Sequence, residues 1–254
     1  MTEPLLKVDS LVKRFGALAA TDHASFEVCA GEVHALIGPN GAGKTTLIHQ
    51  ISGAMASDAG LIHFAGQDLT PVDMPARVRA GLVRSYQITS IFKRFSVLDN
   101  LALAVQARRP GQPSWWRAAV NDEAAYAEAS VLLERIGLAR HGDRPAGSLG
   151  HGEQRQLEVG LALAAQPRLL LLDEPMAGMG PDESERMVEL LQSLRAQDLT
   201  LLLVEHDMDA VFRLADRIST LVFGRVIASG TPAEIREHPE VKKAYLGDEM
   251  EAAL

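Results

Sequence analysis

Eight consecutive residues carry the strongest chemical signal in this sequence: Gly38, Pro39, Asn40, Gly41, Ala42, Gly43, Lys44 and Thr45. They fit the pattern G-x-x-x-x-G-K-[ST], a loop whose main-chain N–H groups close around phosphates. Glycine at 38, 41 and 43 lets the backbone turn and approach an anion where a Cβ would interfere. The apolar run Val33 to Ile37 leads into the loop, and a helical pattern from Lys44 to Ser52 leads out, beginning with Thr45 and Thr46. Amides and dipole at that helix start attract negative charge. Lys44 is expected to reach the β- and γ-phosphates, and the Thr45 hydroxyl to bind Mg²⁺. The competing reading is a glycine-rich turn that binds nothing, and the strand–loop–helix context weighs against it.

Further polar residues close apolar runs. Leu169 to Leu172 ends in Asp173 and Glu174, and Thr200 to Val204 ends in Glu205, His206 and Asp207. Continuous apolar runs are expected of parallel strands covered on both faces. Ligands sit beyond the carboxyl ends of such strands. Asp173 is therefore expected beside the phosphate loop, holding Mg²⁺. Glu174 is expected to polarise an attacking water, and His206 to donate to the terminal phosphate. Gln87, after the run Leu82 to Tyr86, can bridge metal and water through its amide. Taken singly, each reads as readily as a solvated strand end. It is their joint arrangement that favours function.

Alternation of strand and helix patterns must position these groups. Strands are expected at Leu5–Val8, Ala24–Val28, Val33–Ile37, Leu61–Phe64, Leu82–Tyr86, Leu169–Leu172, Thr200–Val204, Ile218–Val222 and Arg225–Ala228. Helices are expected at Val97–Arg108, Asp122–Ile136, Glu153–Ala165, Asp182–Ala196 and Met208–Ala215. Such alternation predicts an α/β fold with a mostly parallel sheet covered on both faces. The helical block in the middle reads as an inserted subdomain. The 254 residues are 47% hydrophobic and 23% charged, as expected of a soluble globular protein. A net charge of −8 opposes a nucleic-acid partner. No apolar run reaches 18 residues, so no transmembrane helix is expected, nor does the N-terminus read as a signal peptide. The single cysteine, Cys29, is expected to pack as a small apolar residue in a reducing compartment.

The constellation resembles the nucleotide-binding subunit of ATP-binding-cassette transporters. Its decisive extra segment is Leu149, Gly150, His151, Gly152, Glu153 and Gln154, which resembles the family's Leu-Ser-Gly-Gly-Gln signature. The motif order also matches, and the resemblance spans about Leu5 to Leu246. It implies a P-loop NTPase core with an N-terminal antiparallel β subdomain and an inserted helical subdomain. The implied single domain covers 1–246: core and β subdomain at about 1–86 and 167–230, helices at about 88–165, with a short tail at 231–254. It implies ATP hydrolysis with Mg²⁺, the adenine stacked on Phe15, and phosphates held by Gly38 to Thr46. Mg²⁺ falls to Thr45, Gln87 and Asp173, and catalysis to Glu174, His206 and Gln87. Leu149 to Glu153 would meet the nucleotide of a second ATPase subunit, a paralogue or another copy, in a head-to-tail dimer. Permease subunits and, indirectly, a periplasmic binding protein complete the implied assembly at the cytoplasmic face of the inner membrane.

Two departures from the family pattern stand out. Gly150 replaces the signature serine, and Gly180 stands where an aspartate is usual. Both face the other subunit's nucleotide in the family, so either one of two ATP sites is weakened or the change is neutral. The stretches 84–87 with 91–101, 151–158 and 230–236 resemble importers of branched-chain amino acids, and Trp115-Trp116 fits the longer of their two ATPase types. Urea or amide import and lipid or polysaccharide export remain as alternatives. A soluble cassette ATPase acting on DNA or ribosomes fits less well, lacking a second cassette and a basic face. So does a regulatory ATP-binding module, which needs no base at Glu174. Ile91, Phe92 and Phe95 read either as helical core or as a groove for a permease helix.

Overall fold

A computed structural model describes residues 3–85, 91–109 and 122–251, with the backbone alone for 246–251. It contains two sheets. The first has the order β2-β1-β4-β5 and is antiparallel throughout: β1 (Leu6–Phe15), β2 (Leu18–Val28), β4 (Ala59–Phe64) and β5 (Gln67–Asp68). The second has the order β10-β9-β3-β8-β7-β6. Its members are β3 (Val33–Ile37), β6 (Leu82–Arg84), β7 (Leu169–Asp173), β8 (Thr200–Val204), β9 (Arg217–Val222) and β10 (Arg225–Gly230). All pairings there are parallel except that of β9 with β10.

Why these strands form the centre follows from their side chains. Every residue of β3, β7 and β8 is buried. Successive residues of a strand point to opposite faces, and the core divides accordingly. Leu36, Leu169, Leu171, Leu202 and Val204 pack on one face with Leu47, Ile48 and Ile51 of helix α1 (Lys44–Ser52). Val33, Leu170, Leu172, Leu201 and Leu203 pack on the other with five helices: α3 (Val97–Arg108), α4 (Glu123–Arg135), α5 (His151–Leu163), α6 (Pro181–Arg195) and α7 (Met208–Leu214). The register aligns Leu36 with Val204 and Asp173 with Val204, so β3, β8 and β7 finish side by side. The remaining α-helices among the described residues are α2 (Met74–Arg79), α8 (Pro232–Glu237) and α9 (Pro239–Glu251).

The expected parallel sheet and helical block are both present. Strands β1 and β2 run well past the expected limits, and β4 begins two residues early. Their ends alternate buried and exposed weakly, and β1 carries register shifts between Val8 and Arg14, with Ser10 at φ 51°. Irregular strands of this kind hide their period from sequence. Helix α5 begins two residues before the expected Glu153, because its N-cap is a glycine rather than a polar side chain. The tail is not featureless: α8 is closed by a Thr231/Glu234 capping box, and Ile235 and Val241 are buried against Val211 and Ile218. Cys29 is exposed rather than packed.

Candidate functional site

The phosphate loop joins β3 to α1, and its glycines are there for different reasons. A Cβ on Gly38 (φ 154°) would lie 2.1 Å from the Leu221 carbonyl oxygen, and one on Gly43 (φ 102°) 2.0 Å from that of Ala20. Gly41 (φ 76°) has open space and needs glycine for its backbone angle alone. Gly224 N–H donates to Ala42 O at 2.8 Å, locking the loop to the turn between β9 and β10. Lys44 Nζ donates to Gly38 O (2.6 Å) and Pro39 O (3.0 Å), so its ammonium spans the loop. Helix α1 starts at Gly43 with no side-chain cap. By contrast α2, α3, α4, α7 and α8 are capped by Asp73, Ser96, Asp122, Asp207 and Thr231. Helix starts need acceptors for their first N–H groups. A glycine-lined loop opening on an uncapped helix start fits a bound phosphate group.

Asp173, Glu174 and His206 reach the same edge of the sheet, at the ends of β7 and β8. Asp173 is buried and accepts from Arg84 Nη2 at 2.7 Å; the two side chains are 4% and 6% exposed. Arg84 ends β6 next door, in register with Leu171. Burial first, then repulsion from Arg84, holds the His49 imidazole on α1 below its usual pKa; Asp173 opposes the shift. Glu174 sits at φ 49° and donates its N–H to Val204 O at 2.8 Å. Its Oε1 lies 3.5 Å from His206 Nδ1. Thr45, in the first turn of α1, offers a hydroxyl, and Asp173 a carboxylate, both oxygen donors suited to Mg²⁺. Gln87 lies outside the described residues, as does Trp115-Trp116.

The signature segment is held elsewhere. Leu149 is buried, Gly150 caps α5, and Gly150 N–H donates to Glu153 Oε2 at 2.9 Å. Glu183 of α6 accepts from Gly152 N–H (3.1 Å) through one oxygen and from Gly180 N–H (3.3 Å) through the other. The Gly152 bond first, then the Gly180 bond, keeps the Glu183 carboxyl below the usual range. Of the two departures from the family pattern, Gly180 is thus held by Glu183, and Gly150 by Glu153. His151 approaches Gly178 of the same loop.

Phe15 ends β1 and is 49% exposed; Asp58 braces that turn by accepting from Lys13 Nζ (2.8 Å) and Arg14 N–H (2.7 Å). The apolar cluster after Gln87 splits. Ile91 is buried in the helical core, whereas Phe92 and Phe95 are exposed with ring centroids 5.5 Å apart. Buried Asn100 brackets Phe92, accepting from its N–H (2.8 Å) and donating to its C=O (3.1 Å). Sequence reasoning gave no role to Arg84 or Glu183. A basic residue two positions into a short buried run was the available signal for Arg84; for Glu183 the signal was an acid at the third position of α6, which closes a capping box on Gly180, while its bond to Gly152 is fixed only by tertiary packing.

Comparison with known proteins follows the same lines. A family model described as ABC transporter matches residues 21–177, and one described as branched-chain amino acid ATP-binding cassette transporter matches residues 225–251. The high-affinity branched-chain amino acid transport ATP-binding protein LivG of Escherichia coli K12 is 39% identical over 98% of this chain and 100% of its own length. The corresponding protein BraF of Pseudomonas aeruginosa is 35% identical over the same shares. Among solved structures, the ADP conformation of MJ1267, an ATP-binding cassette of an ABC transporter, superposes with a TM-score of 0.86 at 31% identity, over 97% of this chain and all of that one.

Proposed function

This chain belongs to the ABC transporter family, as an ATP-binding and ATP-hydrolysing importer subunit, and on that premise we propose how its site works and what it serves. The cargo is a branched-chain or other hydrophobic amino acid. Gly38 to Thr46 wrap the phosphates of ATP, Lys44 swings from its loop carbonyls onto the β- and γ-oxygens, and Phe15 stacks on the adenine. Thr45, Asp173 and Gln87 hold Mg²⁺, which when bound neutralises charge on the β- and γ-oxygens. Arg84 keeps the Asp173 carboxylate aimed at that place.

Glu174 takes a proton from the attacking water as its oxygen bonds to the terminal phosphorus. His206 orients the Glu174 carboxylate and donates to the terminal phosphate. Leu149 to Glu153 meet the nucleotide of a second ATPase subunit, so ATP closes a head-to-tail pair and hydrolysis reopens it. Residues 1–86 with 167–230 form the nucleotide-binding part and 88–165 the helical part. Phe92 and Phe95 on the latter seat a permease helix at the cytoplasmic face of the membrane. A periplasmic binding protein feeds that permease from the far side. Among the described residues no helix is long and apolar enough to cross a bilayer, in keeping with a peripheral subunit.

The observation carrying this reading is the common finish of β3, β8 and β7, which gathers the phosphate loop, His206, Asp173 and Glu174 at one edge. Glu174→Gln tests it. Turnover of Mg-ATP should fall by about a thousandfold or more, the order expected for loss of a general base, while a nucleotide-bound dimer accumulates on size-exclusion chromatography. Normal turnover would remove Glu174 from the chemistry.

A further inference from the structure

Glu205 leads the His206 loop, between the end of β8 and His206. It is 1% exposed. Its Oε1 accepts from Met176 N–H at 2.9 Å, and its Oε2 from His206 N–H at 3.1 Å and, at longer range, Asp207 N–H at 3.5 Å. Three main-chain donors from two loops therefore converge on one carboxylate. One loop is the turn just after Glu174; the other carries His206 into α7. Such carboxylate–amide bonds are charge-assisted and stronger than neutral ones.

Glu174 has a backbone conformation, φ 49°, that non-glycine residues keep only where their surroundings fix them there. Two anchors do so here. Val204 O, at the end of β8, accepts the Glu174 N–H, and Glu205, the next residue after Val204, takes the N–H of Met176 two residues on. The same carboxylate fixes the main chain of His206. We propose that Glu205 is a positioning residue for ATP hydrolysis, clipping the Glu174 turn to the His206 loop so that carboxylate and imidazole keep their 3.5 Å approach. It acts through the main chain and is too buried to touch nucleotide. The proposal rests on the roles given above to Glu174 and His206.

Glu205→Gln is the sharpest perturbation, since it keeps the shape. An amide has one acceptor oxygen and an NH₂, so one of the two loops must face a donor with its own donor. Full-length Glu205→Gln and Glu205→Ala should lose roughly tenfold to a hundredfold in kcat, the order expected for an ångström-scale misplacement. KM for ATP should stay within about threefold, because the phosphate loop is untouched. Amide hydrogen exchange should quicken at Met176, His206 and Asp207 while Leu170–Leu172 and Leu201–Leu203 keep their protection. Combining Glu205→Gln with Glu174→Gln should slow single-turnover hydrolysis no further than Glu174→Gln alone, since residues acting as a unit are non-additive.

Unchanged kcat in Glu205→Gln beside an inactive Glu174→Gln would overturn the clip and leave the role of Glu174 standing. So would a KM that rises in step with any loss of kcat, losses that multiply in the double variant, or exchange that quickens throughout the sheet. Full activity in Glu174→Gln itself would instead overturn the underlying reading. The exchange measurement needs no turnover, so it decides the structural half of the proposal even for an inactive variant.

Discussion

Arg84→Met removes a buried ion pair at the site and allows the size of its effect to be worked out. Arg84 Nη2 and Asp173 Oδ2 are 2.7 Å apart, with both side chains almost wholly buried. Methionine keeps much of the aliphatic stem but leaves the carboxylate without its guanidinium. At an effective dielectric near 20, opposite charges about 4 Å apart attract by roughly 4 kcal/mol. Removing one member of a buried pair typically costs about 3–5 kcal/mol. For a chain of this size each kcal/mol moves Tm by roughly 2–4 °C, so the nucleotide-free variant should melt about 6–20 °C below the parent. Salt should change this little, because a buried pair is poorly screened. Adding Asp173→Asn to Arg84→Met removes the orphaned charge and should recover most of the loss, where independent effects would sum. Calorimetry of the parent, both single variants and the double variant near pH 7 gives the complete cycle. A shift under about 2 °C for Arg84→Met, or a double variant as unstable as the sum of the singles, would refute the reasoning.

Two more predictions concern the phosphate loop and the helical layer. Gly43→Ala puts a Cβ 2.0 Å from a carbonyl oxygen at φ 102°; the loop must shift, and ATP affinity by fluorescence titration should fall at least about tenfold, a loss near 1.4 kcal/mol. Tyr126→Phe removes the hydroxyl that donates to Asp99 Oδ1 at 2.6 Å across α3 and α4. That bond, with help from Ser96, holds the Asp99 carboxyl below its usual range, and Asp99 in turn pushes the Tyr126 phenol up to about 12. A depressed acid stabilises the fold above its unfolded pKa, near 4, and the contribution fades as pH falls through the folded value. The variant should therefore lose about 1 kcal/mol at neutral pH, seen as a lower urea midpoint, and the gap should close as pH drops below about 4.

Much of the central fold could be read from the chain because its signals are local. Short uninterrupted apolar runs at 169–172 and 201–204 read as strands buried on two faces, and they run straight into the acids and the histidine. Their neighbours in the sheet were therefore legible, and with them the end at which Asp173, Glu174 and His206 gather. Less of the first sheet was legible, because the bulged middle of β1 breaks the two-residue period. Helix α2 was missed because six residues carry too little pattern, although Asp73 and Pro75 mark its start. Ile91, Phe92 and Phe95 look alike in sequence. Only tertiary packing buries the first and leaves the other two outside. Glu183 and Glu205 belong to a third class: each has a near partner in its own loop, Gly180 for the first and His206 for the second, but the amides that tie them to another loop, Gly152 and Met176, are brought close only by tertiary packing.

The bond from Gly152 N–H to Glu183 has a consequence for how two such chains meet. In the lone molecule the start of the signature helix is not an empty socket, for a carboxylate of the same chain already fills it. In the proposed head-to-tail pair, a phosphate from the facing subunit would have to displace that resident, and the net drive would be the difference between two anions rather than the whole attraction of one. Glu183 holds Gly180 with its other oxygen, so that displacement would tug on the segment leading back to Glu174. In the proposed pair, one molecule's nucleotide would thereby be linked, through a single displaced side chain, to the loop that carries its neighbour's Glu174.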